Sequence, residues 1–81
     1  MQVAVDISLY PLDENFIPPI KSVIKRLSAH EDIEIEYNRM STQVRGEFDV
    51  VMSVLTKELR TTFEDVPKAV FAIKILNNPI T

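Results

Sequence analysis

Side chains that could do chemistry are concentrated in one short segment, residues 38–42, which read Asn-Arg-Met-Ser-Thr. Its amide and hydroxyls can both donate and accept hydrogen bonds, which suits a heterocyclic ligand with mixed groups along its edge. Each residue also has a local interpretation, because Asn38 is a common turn residue and Ser41 or Thr42 can bond to the nearby backbone. Taken together with Ser8 and Arg45, the segment indicates a candidate small-molecule site.

The sequence gives little support to nucleophilic catalysis, to a phosphate-binding loop or to a metal site. Nucleophilic catalysis needs a Ser or Cys beside a base, and the chain has no cysteine and one histidine, His30. That histidine lies in a charged stretch where we expect a solvated or helix-terminal residue. A single glycine, Gly46, excludes a glycine-rich phosphate loop. The carboxylates at residues 31–36 are more typical of a solvated strand edge than of a cation site. We therefore predict no metal or cofactor, and we find no motif for nucleophilic catalysis.

Composition restricts the class of protein further. The 81 residues, 46% hydrophobic and 26% charged, fit a single globular domain over residues 1–81. A net charge of −3 argues against a nucleic-acid partner, and no apolar run approaches the ~20 residues of a membrane span. The N-terminus lacks a basic signal-peptide region, and the absence of cysteine is compatible with a reducing compartment. These features predict a cytoplasmic protein with neither a nucleic-acid nor a membrane partner.

Hydrophobic periodicity predicts the elements that must position the polar segment. Strands are expected over residues 3–10, 33–38, 42–45 and 68–76, a first helix with its apolar stripe from Ile17 to Leu27, and a second helix from Glu47 to Phe63. Residues 77–81 show no pattern, and we expect them to be frayed. The order βαββαβ with right-handed crossovers predicts an α+β, ferredoxin-like fold, in which a four-stranded antiparallel sheet carries two helices on one face. The polar segment then forms the turn of the hairpin between the second and third strands.

The predicted fold also indicates where individual side chains should lie. We expect Asp13 or Asn15 to cap the first helix and Arg26 to face water. Asp6 and Arg45 would lie on neighbouring central strands, where they could pair. The residues expected under the helices are Val3, Val5, Ile7, Leu9, Phe71, Ile73 and Ile75. The opposite face of the sheet mixes small apolar and polar residues, which favours partial burial against another protomer.

Three sequence blocks resemble the small thiamine-binding-like proteins related to YkoF. Residues 7–12, Ile-Ser-Leu-Tyr-Pro-Leu, resemble the opening block of that family, S-x-Y/V-P-L/M-G. Residues 38–44, Asn-Arg-Met-Ser-Thr-Gln-Val, resemble its block N-P-M-G/S-T-x-V. Residues 46–52 resemble the following segment, and the likeness extends over residues 2–76. Two positions differ from the pattern, since Arg39 stands where proline is usual and Asp13 stands near a common glycine.

The resemblance implies the same fold, assembly into homodimers or homotetramers, and binding of thiamine or its hydroxymethylpyrimidine portion without catalysis. The ligand-binding positions that carry over are Ser8, Asn38, Met40, Ser41 and Thr42. A carboxylate such as Asp6 or Glu36 would favour the cationic thiazolium of thiamine, whereas Arg39 would suit a phosphorylated ligand.

Two other classes of function remain open at this point. One is a regulatory module of ACT type, which would bind amino acids between protomers. The other is a small oligomeric isomerase or monooxygenase of the α+β-barrel kind, which would use Asp6, Tyr10 or His30, although these residues do not form a convincing acid–base pair.

Overall fold

The computed structural model describes residues 1–79 and contains the predicted order of elements. They are β1 (Gln2–Pro11), α1 (Ile17–Ser28), β2 (Glu34–Tyr37), β3 (Thr42–Glu47), α2 (Phe48–Asp65) and β4 (Ala69–Asn77). The strands form one antiparallel sheet in the order β2-β3-β1-β4. The predicted ferredoxin-like α+β fold is therefore confirmed. No helix within residues 1–79 is both long enough and apolar enough to cross a membrane.

The central strand β1 is longer than its neighbour β3. Pairing between these strands runs from Gln2 opposite Glu47 to Ile7 opposite Thr42. On its other side β1 pairs with β4 as far as Pro11. Residues 8–11 of β1 therefore continue past the start of β3, and within residues 1–79 no strand pairs with them on that side. This extension creates a notch in the sheet beside the β2–β3 turn.

The core lies between the sheet and the two helices. The alternating residues Val3, Val5, Ile7 and Leu9 are buried as predicted, because this face of β1 packs under both helices. On β4 the prediction is only partly right. The strand register puts Ile73 and Ile75 on the helix-facing side of the sheet, yet they are 36% and 48% exposed. The helices lie over β1, β2 and β3, so the outer strand β4 extends beyond their cover.

The ends of the elements show three wrong predictions. Neither Asp13 nor Asn15 caps α1, because Asp13 Oδ1 accepts a hydrogen bond from the Asn15 backbone N–H at 2.9 Å, before the helix begins. Gly46 lies inside β3, not between β3 and α2. Asn77 belongs to β4, and Asn78 donates to the Gln2 carbonyl at 3.1 Å. Of the tail predicted to lack structure, residues 80–81 lie outside the described residues.

Arg26 does not face water as expected, because it takes part in an ion-pair network that joins the two helices. Its Nε lies 2.7 Å from Glu58 Oε1, and its terminal nitrogen donates to Thr62 Oγ1 at 2.8 Å. His30 Nε2 lies 2.9 Å from the other Glu58 oxygen. Burial raises the pKa of the Glu58 carboxyl, but the hydrogen bonds and charges of His30 and Arg26 outweigh burial and hold that pKa below its ordinary value of 4.5.

Candidate functional site

The turn between β2 and β3 is held by the side chain of its first residue. Asn38 Oδ1 accepts hydrogen bonds from the backbone N–H groups of Met40 and Ser41, at 2.8 and 3.1 Å. The Asn38 N–H in turn donates to the Ser41 carbonyl at 3.1 Å. Such side-chain closure is an Asx turn, which explains an asparagine at this position without reference to a ligand. The closed turn fixes the backbone from which the side chains of Arg39 and Met40 extend.

This turn lies against the notch beside the end of β1. The Ser8 hydroxyl donates to the Met40 carbonyl at 3.5 Å, a long and therefore weak hydrogen bond. Thr42, the first residue of β3, is only 7% exposed and lies opposite Ile7, on the helix-facing side. The β2–β3 hairpin thus brings residues 38–42 to the free side of β1, and Met40 lies 32 positions from Ser8 along the chain.

A cavity of 530 Å³ occupies this place and brings the predicted site together. All five predicted ligand-binding residues line it: Ser8, Asn38, Met40, Ser41 and Thr42. The remaining wall consists of Arg39 of the same turn, the end of β1 with its loop, one side of α1, and Phe71 of β4. Its volume falls within the roughly 300–1,000 Å³ usual for small-molecule sites. The structure therefore brings the predicted residues to the wall of one cavity. Their positions in the sequence alone do not require this.

Apolar side chains surround the opening of the cavity. Tyr10, Leu12, Phe16 and Met40 all line it, and all are exposed, Met40 to 85%. Large apolar side chains gathered around a concave surface are typical of a binding site, because scattered exposure would not place them together. Met40 is a rim residue rather than a plug of the core. The cavity thus offers flat apolar surfaces near its mouth and hydroxyl groups on the β3 side.

Sequence reasoning missed much of the apolar wall. Ile20, Val23 and Ile24 were expected to fill the core beneath α1, but they also line the cavity. Phe16 and Phe71 were not connected with the site, because only the fold brings the start of α1 and the beginning of β4 together. The sequence signal that could have indicated this wall was Phe16, a large aromatic residue just before a helix whose first turn contains two prolines.

Among the described residues, the cavity wall carries one positive charge and no negative charge. Arg39 is the only charged residue that lines it among the described residues. The carboxylates considered for a thiazolium, Asp6 and Glu36, are both absent from the lining. His30, the candidate base of an enzyme, lies in the Glu58 network between the helices. The cavity is therefore mostly apolar, with neutral hydrogen-bonding groups and one cation.

A second cavity, of 640 Å³, lies toward the other end of β1 and contains none of the predicted residues. Its wall is rich in charge: Glu31, Asp32, Glu34, Arg45 and Glu47. Organic ligands prefer apolar walls with a few polar groups, so the 530 Å³ cavity is the better candidate. Within residues 1–79, no three His, Asp or Glu side chains are grouped to hold a metal ion.

The sheet order, the helices on one face and the cavity at the end of the central strand define a small ferredoxin-like protein with a candidate ligand site. Solved structures show the same fold. A protein of Streptococcus pneumoniae has a TM-score of 0.91 at 24% identity, over 99% of this chain and 90% of that one. A protein of Thermotoga maritima, for which a role in thiamine biosynthesis or salvage has been suggested, has a TM-score of 0.87 at 24% identity, over 100% and 90% of the two chains.

A third structure, of a hypothetical protein from Methanocaldococcus jannascii, has a TM-score of 0.82 at 22% identity, over 99% of this chain and 84% of that one. No protein with a curated description matches the sequence significantly. The family model described as "Thiamine-binding protein" matches residues 5–79. The chain therefore belongs to the thiamine-binding protein family, which confirms the resemblance seen in its sequence blocks.

Proposed function

We propose that this protein binds thiamine or a related pyrimidine, such as hydroxymethylpyrimidine, in the cytoplasm and without catalysis. The observation that carries the proposal is the convergence of Ser8, Asn38, Met40, Ser41 and Thr42 on one cavity of 530 Å³. Membership of the thiamine-binding protein family supports the class of ligand. It also supports binding over chemistry, because binding is what the description of the family states.

The cavity suits both the faces and the edge of an aminopyrimidine ring. The ring faces would pack against apolar side chains at the mouth, where Tyr10 and Phe16 offer aromatic surfaces. The ring edge carries both donors and acceptors, which the hydroxyls of Ser41 and Thr42 can match. Asn38 Oδ1 is occupied by the turn, so its Nδ2 is the part of that side chain available to the ligand.

The lining also favours binding over acid–base catalysis. It holds hydroxyl, amide, phenol and guanidinium groups but, among the described residues, no carboxylate and no imidazole. General acid–base chemistry usually relies on such groups. Of the residues considered for an enzyme, only Tyr10 lines the cavity.

Thr42→Val tests the proposal, because valine keeps the branched shape and removes only the hydroxyl. We expect titration calorimetry to show that wild-type protein binds thiamine or hydroxymethylpyrimidine and that the variant binds about tenfold more weakly, the loss of one hydrogen bond. Thr56→Val is the matched control, since Thr56 lies exposed on α2 and bonds to its own helix at Met52. The absence of heat and of a thermal shift with thiamine, thiamine phosphate and hydroxymethylpyrimidine would contradict the proposal, and shifts with amino acids instead would favour the ACT-type alternative.

We also propose that the protein acts as a homodimer or homotetramer, and the outer strand β4 supports this. One side of β4 has no partner strand within residues 1–79. Both faces of the strand are apolar and exposed, with Val70 and Leu76 on one face and Ile73 and Ile75 on the other. Lys74 is its only charged residue. Antiparallel pairing of two β4 strands about Ile73 would put Lys74 opposite Ala72 of the second copy, which avoids facing like charges.

A further inference from the structure

We infer that the ligand of the 530 Å³ cavity is an anion, a pyrimidine that carries a phosphate group bound by Arg39. The inference rests on the proposed function, and it specifies which chemical form of the ligand the cavity selects. It depends on the charges around the cavity and on the way Arg39 is held.

The charges of the lining favour an anion over a cation. Arg39 is the only charged lining residue among those described, and no carboxylate shares the cavity with it. A thiazolium in this cavity would meet a like charge without a compensating negative group. A phosphate would instead meet an opposite charge.

The guanidinium of Arg39 is available for such a contact. Within residues 1–79 it makes no hydrogen bond or ion pair with another side chain. Arg26, by contrast, is engaged by Glu58 and Thr62. A guanidinium presents a planar set of donors that matches two phosphate oxygens at once. Arg39 therefore has its full donor set free at the mouth of the cavity.

The turn fixes the backbone from which the Arg39 side chain extends. Asn38 Oδ1 holds the N–H groups of the two residues after Arg39, at 2.8 and 3.1 Å. Because the backbone is closed on both sides of Arg39, the ligand needs to order only the side chain. The nearest acids in sequence on the β1 side, Asp13 and Glu14, follow the lining residue Leu12 but do not line the cavity.

The net charge of the protein makes a local cation necessary for an anionic ligand. At −3, the molecule as a whole repels a phosphate, so affinity must come from a specific contact and not from a general positive field. This contact is exposed to solvent at the rim, and salt will therefore weaken it.

Matched pairs of ligands test the inference by titration calorimetry: hydroxymethylpyrimidine against its phosphate, and thiamine against thiamine monophosphate. We expect the phosphorylated member to bind wild-type protein at least about tenfold more tightly at low salt. Arg39→Gln should abolish this preference by weakening the phosphorylated member. The variant should not weaken the unphosphorylated member, and it should bind thiamine more tightly, because the thiazolium no longer meets a like charge. Arg60→Gln is the matched control, because Arg60 is exposed on α2 and lies outside the cavity.

Equal or tighter binding of the unphosphorylated members would overturn the inference and leave the proposed function standing. An equal loss of both members in Arg39→Gln would also overturn it. Phenyl phosphate carries a phosphate but no pyrimidine, so it tests the anion site independently of the proposed function. If it binds in an Arg39-dependent manner while every pyrimidine fails to bind, the anion site stands and the proposed function falls. If neither phenyl phosphate nor any pyrimidine binds, both are wrong.

Discussion

At the scale of single residues, Glu58 is the buried charge on which the two helices depend. It is 4% exposed, and both of its carboxylate oxygens are engaged, by Arg26 and by His30. Glu58→Gln keeps the size of the side chain but removes its charge, and leaves Arg26 half-buried without its counter-ion. We expect a loss of about 1–3 kcal/mol in the free energy of unfolding, measured by urea denaturation. Glu64→Gln, exposed on the same helix, should change it little.

The same pair of variants predicts a pH dependence. Since the pKa of Glu58 is lower in the folded protein than its ordinary value of 4.5, the unfolded chain takes up the proton more readily. The stability that Glu58 contributes is therefore fully present above that pH and is lost as the pH falls through the folded pKa. Urea denaturation from about pH 7 to about pH 3 should show the wild-type advantage over Glu58→Gln shrinking below pH 4.5. An advantage that persists unchanged at the lowest pH would contradict this assignment.

Residues that act through their neighbours in the chain could be predicted from residue type. Residues that act across the fold could not, except Ser8, which the family resemblance indicated. Asn38, Ser41 and Thr42 stand out because turn chemistry and hydrogen-bonding capacity depend on residue type and neighbours. Phe71 joins the site only through the pairing of β4 with β1. Arg26 was misassigned for the same reason, since its partner Glu58 is 32 positions away.

At the scale of elements, Gly46 shows how closely β3 and α2 approach. A β-carbon at this position would lie 3.1 Å from Val51 Cγ2 and 3.3 Å from Ile33 Cγ2. Because both neighbours are buried core residues, Gly46→Val should force them apart and lower the free energy of unfolding by about 1–3 kcal/mol. Gln43→Val, exposed on the same strand, serves as the control. Equal stability of the two variants in thermal and urea unfolding would show that the packing can relax.

The middles of the elements were easier to predict than their ends. The period of two along β1 identifies its buried face, because that alternation reports one covered side of a sheet. The end of β3 was predicted too early, since glycine usually signals a break in a strand. Here Gly46 remains in the strand, and its lack of a side chain admits Val51 and Ile33. The cap of α1 was misjudged because Asp13 bonds within its own loop.

At the scale of the whole molecule, the exposed strand β4 predicts how copies of the chain associate. Ile73→Lys places a charge at the centre of the proposed contact. We therefore expect light scattering to give the mass of a dimer or tetramer for wild-type protein and of a monomer for the variant at the same concentration. Ser53→Lys, on the exposed side of α2, should leave the mass unchanged. Thermal unfolding of the diluted variants checks that each still folds. An unchanged mass for Ile73→Lys would place the contact elsewhere, and a monomeric wild type would remove the oligomer proposal.

The backbone of the 38–41 turn has a consequence for how this protein can change. Within residues 1–79 only Asn78 has a positive φ, 50°, so the turn needs no left-handed residue and no glycine. Its shape depends on the Asn38 carboxamide, which leaves positions 39 and 40 open to most amino acids without backbone strain. Selection, or a library randomised at these two positions, can therefore alter ligand preference while the protein still folds. If Arg39 binds a phosphate as we propose, arginine in place of the usual proline changes the ligand without straining the turn.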